Sequence, residues 1–100
     1  MHFLLIYDLV PDYLDRREEF RNEHLALAWD AHKRGELVIA GALAEPADRA
    51  VLFFQAGSPD VVEAFAKADP YVVNGLVARW QVRRWNTVVG ETAATPVRPS

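Results

Sequence analysis

One histidine stands on a helical face that is otherwise apolar. His24 falls on the stripe drawn by Phe20, Leu27, Ala28 and Ala31, one turn before Ala28. Such an imidazole either satisfies its nitrogens inside the core or does chemistry, and the stripe alone leaves both open. Two carboxylates are placed to meet it. Asp8 closes the first apolar run, and Asp69 falls four residues after Phe65 and eight after Val61, on the core-facing side of its own helical segment. A carboxylate against one imidazole nitrogen fixes the tautomer and supports the imidazolium, leaving the other nitrogen to accept or donate a substrate proton. Arg17 and Arg21, one turn apart, suit either those carboxylates or a phenolate or carboxylate on a ligand. The chemistry in view is general acid–base work on a small aromatic or carbonyl compound. Asp8 and Asp69 are equally ordinary as helix-entry and turn residues, and the two arginines as surface. His32 reads as a surface or dipole-paired residue near the basic end of the same helix, and His2 has no evident partner. No pair of histidines has metal-ligand spacing, so no metal site is expected.

These groups depend on elements that glycine and proline mark out. His2 to Leu9 reads as a strand, and Asp12 to Arg34 is helical in composition, stopped by Gly35. Those helical residues would reach about 34 Å, against about 26 Å for an eight-residue strand. The regular helix is therefore expected to begin near Arg17 to Arg21, with Pro11 to Arg16 as an entry turn. Leu37 to Leu43 and Ala50 to Ala56 read as a hairpin around the loop Ala44 to Arg49. Ser58 as N-cap, Pro59 and Asp60 announce a second helix, which runs to about Ala68 and ends before Pro70. Leu76 to Val88 closes the pattern, with Leu76, Ala78, Trp80 and Val82 on one face and Arg79, Gln81 and Arg83 on the other. The order β-α-β-β-α-β predicts a ferredoxin-like α+β sandwich with both helices on one face of an antiparallel sheet. That topology gathers Tyr7, Asp8, His24, Gly41 and Asp69-Pro70-Tyr71 at one end, so Tyr7 and Tyr71 join Arg17 and Arg21 as expected substrate contacts.

Composition narrows the field. One hundred residues without cysteine form one domain with no disulfide frame, thiolate nucleophile or iron–sulfur site. Eleven basic against fourteen acidic residues, spread along the chain, leave no footprint for nucleic acid. No apolar run approaches the ~18 residues of a membrane span, and the start lacks a basic leader, so a cytoplasmic protein is expected. The domain is expected over residues 1–88, with 89–100 an arm or disordered tail. The apolar share is 51%, and the first three strands do not alternate cleanly. Two helices cover one face only, so a second copy of the sheet is expected on the other, as a homodimer.

Three separated motifs carry a family resemblance. Arg17…Arg21-Asn-Glu-His24-Leu25, Gly35-Glu-Leu37…Ala40-Gly41 and Ala68-Asp69-Pro70-Tyr71-Val72…Gly75 resemble segments of the YciI-like (YCII-related) family. Asn22 and Ala42 depart from its frequent prolines. The resemblance spans about residues 1–88 and implies a dimeric α+β barrel. It also implies a histidine–aspartate site, His24 with Asp69 and Asp8, working without a cofactor. One chemistry in that family is dehydrochlorination of a chlorinated hydroxyhydroquinone to a hydroxyquinone. A cofactor-independent oxygenase and a non-catalytic dimeric ligand-binding module stand as alternatives.

Overall fold

Alternation along the first strand decides where the core lies. In the computed structural model, which describes all 100 residues, Phe3, Leu5, Tyr7 and Leu9 of β1 (His2–Leu9) are all buried. A period of two sends these four side chains to one face and Leu4, Ile6 and Asp8 to the other. β1 lies between β3 (Arg49–Gln55) and β4 (Val77–Trp85), with β2 (Leu37–Ala42) on the edge beyond β3, every pair antiparallel. α1 (Tyr13–Lys33), α2 (Pro59–Ala68) and the single turn α3 (Pro70–Val73) cover the Phe3–Leu9 face. Phe54, opposite Phe3, meets Phe65 of α2 edge-on at 5.2 Å. This is the ferredoxin-like arrangement the sequence predicts.

The long helix begins earlier than expected. α1 is regular from Tyr13, so Pro11 to Arg16 is not an entry turn. A helix lying on one side of a sheet need not match the strands in length if its overhang finds other partners. Here Tyr13 is buried edge-on against Tyr71 of α3 at 5.8 Å, and Arg16 Nη2 donates to the Asn74 carbonyl at 2.8 Å. Both α1 and α3 end on a glycine with positive φ, Gly35 at 80° and Gly75 at 78°. In each the next residue donates back across the turn, Glu36 to Ala31 and Leu76 to Tyr71, closing the open carbonyls. Ser58 and Pro59 open α2 as expected, though the Ser58 side chain makes no capping bond.

β4 stops at Trp85, short of Val88, because the chain leaves the sheet to fold back on itself. Thr95 and Val97 donate to the carbonyls of Thr87 and Val88 at 3.1 and 2.8 Å. Thr87 Oγ1 lies 2.7 Å from Nδ1 of His2, whose other nitrogen faces Gln55. His2 thus has partners after all, where the chain beyond Trp85 turns back past it. The helices leave the opposite sheet face uncovered, with Leu4, Ile6, Val51 and Phe53 across its middle and Ile39 70% exposed at its edge.

Phe54 is fully buried, and a Phe→Ala change in such a place costs about 3–5 kcal/mol. Phe54→Ala should therefore remove much of the ~5–15 kcal/mol that a small domain has, read as a lower urea midpoint.

Candidate active site

Asp69 ends α2 and caps α3. With Pro70 at the first helical position, its carboxylate turns inward to accept the Tyr71 backbone N–H at 3.0 Å on Oδ1. The side chain is fully buried, so both oxygens need donors. Tyr7, in the middle strand, donates its hydroxyl to Oδ2 at 2.7 Å. His24, from α1, places Nδ1 2.8 Å from Oδ1. All three neighbours donate and the carboxylate only accepts, so Nδ1 of His24 carries a proton, and in the neutral ring Nε2 is the acceptor. The imidazole is pinned on a second side, stacked on the Tyr71 ring at 3.8 Å and 7° from parallel. Its side chain keeps 16% exposure, and it opens on a cleft.

That cleft, about 400 Å³, runs between α1 and the edge strand β2, within the range of small-molecule sites. Leu25, Ala28, Leu37 and Leu52 give it an apolar lining, while Tyr13, Arg17, Arg21 and Tyr71 gather towards one end. Arg17 lies over the Tyr13 ring at 5.6 Å, and its buried Nε has no partner. Arg21 reaches only the exposed Glu18 at 3.5 Å. Two guanidinium groups are therefore free to take an anionic oxygen.

Burial raises both tyrosine hydroxyls. Tyr7 is held far above the ordinary phenol range, first by burial, then by the charge of Asp69 and the hydrogen bond to it. Tyr71 is pushed up to about 12, chiefly by burial and by Tyr13, with Arg21 and Arg17 pulling the other way. Tyr7 is thus a neutral donor at any physiological pH.

Six of the seven residues singled out in the sequence, His24, Asp69, Tyr7, Tyr71, Arg17 and Arg21, meet at this site. Tyr7 serves the carboxylate as well as lining the cleft. Asp8 does not join them. Strand alternation turns it to the opposite face, where Arg79 bonds Oδ2 at 3.0 and 3.1 Å and Arg49 lies 3.3 Å from Oδ1. The expectation of two carboxylates at His24 fails for that reason. Tyr13 and Trp29 also line the cleft, as does His32, expected only as a surface or dipole-paired residue. His32 had a signal, since 24, 28 and 32 repeat at helical spacing. No three His, Asp or Glu side chains converge as metal ligands would, and no helix is long and apolar enough to cross a membrane.

Comparison with known proteins identifies the family and similar folds. The YCII-related domain family matches residues 1–86. Among solved structures, the chain is similar to the 5-chloro-2-hydroxyhydroquinone dehydrochlorinase TftG of Burkholderia phenoliruptrix, solved with 2,5-dihydroxybenzoquinone. Identity is 25% over 87% of this chain and 95% of that one, with a TM-score of 0.73. A protein from Agrobacterium tumefaciens is 18% identical over 94% of this chain and 97% of that one, with a TM-score of 0.49. A search of curated proteins returns no match.

The raised tyrosines set an alkaline limit. The unfolded chain gives up phenolic protons near pH ~10, whereas the fold keeps those of Tyr7 and Tyr71. Above that pH the native state holds more protons than the unfolded one, so stability falls as pH rises. Thermal melts should show a decline beginning near pH ~10, shallower in Tyr7→Phe. That variant should also be weaker at neutral pH by about 1–3 kcal/mol, because Asp69 Oδ2 loses its donor.

Proposed function

Because the chain belongs to the YCII-related domain family, we propose that it is a cofactor-free acid–base enzyme that removes HCl from a chlorinated hydroxyhydroquinone to give a hydroxyquinone. One observation carries the reading: His24, with Nδ1 committed to buried Asp69, presents its other nitrogen in a mostly apolar cleft sized for a small ring. The likeness to the Burkholderia dehydrochlorinase supports the substrate class.

The reaction needs only proton transfers. His24 Nε2 takes a phenolic proton, and the imidazolium so formed is stabilised by Asp69. The electron density released into the ring lets the carbon bearing chlorine accept that proton back from His24. A second phenolic proton passes to solvent as chloride leaves with the bonding pair, and the ring settles as a quinone. One HCl is lost in all, and no external oxidant takes part. Arg17 and Arg21 hold the phenolate oxygen, and Arg17 thereby gains the partner its buried Nε lacks. The chain works as a homodimer, paired through the uncovered face of Leu4, Ile6, Val51 and Phe53, an apolar surface too continuous to leave in water.

Anaerobic chloride release from a chlorinated hydroxyhydroquinone tests the chemistry and separates it from an oxygenase, which would stall without oxygen. Wild type should release chloride, and His24→Asn should be slower by about 10²–10⁴-fold. Equal rates would remove His24 from the mechanism. In sedimentation at micromolar concentration the protein should run at twice its 11.3 kDa chain mass, and a lone single-chain species would end the paired-sheet account.

A further inference from the structure

A second imidazole in the cleft has the same bonding state as His24. Nδ1 of His32 lies 2.7 Å from the backbone carbonyl of Leu37. A carbonyl only accepts, so Nδ1 carries a proton, and in the neutral ring Nε2 keeps its lone pair. A histidine in the last turn of a helix is favoured by the dipole alone, through that helix's own terminal carbonyls. This one bonds instead to the carbonyl of the first residue of β2, just past the helix end, and its exposed ring lines the cleft. The indole of Trp29 stands edge-on to it at 5.3 Å and 86°, a flat aromatic wall beside the ring. Between the two imidazoles the helix presents Ala28, too small to divide the space.

We propose that His32 is a specificity residue, its Nε2 accepting a hydrogen bond from a substrate hydroxyl opposite the one that meets His24. The cleft then selects aromatic rings carrying oxygens at opposite positions, as in hydroquinones, over rings with a single hydroxyl. This rests on the reading of the cleft as a site for hydroxylated rings with His24 at the reacting end. The spacing fits. Eight residues of helix advance about 12 Å, which leaves room between the two positions for one ring with a hydrogen bond of about 2.8 Å at either end. It also divides the labour along α1. Arg17 and Arg21 take charge on one side of His24, and His32 with Trp29 reads the neutral far edge on the other.

The test is a comparison of two ligands of nearly equal shape, hydroquinone and 4-methylphenol, titrated calorimetrically into wild type, His32→Phe and His32→Leu. Both variants remove the acceptor, so one that failed to fold would leave the other. Wild type should favour hydroquinone. In a folded variant the ratio of the two affinities should fall by about three- to tenfold, the size of one hydrogen bond, while 4-methylphenol binds nearly as before. A ratio unchanged from wild type, or an equal loss for both ligands, overturns the assignment of His32 and leaves the acid–base reading standing. Failure of hydroquinone to bind wild type overturns both.

Discussion

A buried carboxylate must find donors for both oxygens, and at Asp69 that requirement reaches into three separate elements. The middle strand supplies the Tyr7 hydroxyl, the long helix supplies His24, and the single turn α3 supplies the Tyr71 amide. Leaving one of these bonds unmade inside the protein costs more than the bond itself contributes, because the oxygen has no water to fall back on. The same three contacts hold the imidazole in one tautomer. Structural demand and chemical readiness are thus met by one arrangement, and the ring that stacks on His24 belongs to the residue whose amide caps Asp69.

The cleft exists because α1 does not close down on β2. Val38, Ile39, Ala40, Gly41 and Ala42 of that edge strand are all exposed, whereas the middle of the sheet under the helices is packed. Small side chains at 40, 41 and 42 keep the floor low, and Leu25 and Trp29 on the helix stand exposed opposite. An edge strand left bare would ordinarily invite pairing with another chain. Here its helix-facing side borders the ligand space.

Much of this was legible from residue types. Glycine and proline marked the turns, strand composition gave the β-α-β-β-α-β order, and the spacing of Asp69 from Phe65 and Val61 placed its carboxylate inward. The failures have physical causes. Asp8 was judged by its position at the end of a strand, but neighbouring strand residues point to opposite faces, and the inward Tyr7 commits Asp8 to Arg49 and Arg79. The start of α1 was judged by matching helix to strand, which ignores that α3 can carry the overhang. The arm after Trp85 is held by Thr87 against His2, a contact between the two ends of the chain that no local pattern announces. His32 was set aside because its place near a helix end already had an ordinary explanation. The ring is exposed at that helix end as expected, and only in three dimensions does its bond to Leu37 place it beside the cleft.

The length of α1 has an evolutionary meaning. His24 sits near its midpoint, with about three turns before it and more than two after it. Only the groups that touch Asp69 and Tyr71 are tied into the buried hydrogen-bonded lock. The turns on either side can exchange side chains without disturbing that lock, so new substrates become reachable by single changes along one rod. A scaffold of this kind separates a fixed lock from an adjustable lining, and the lining alone can be altered.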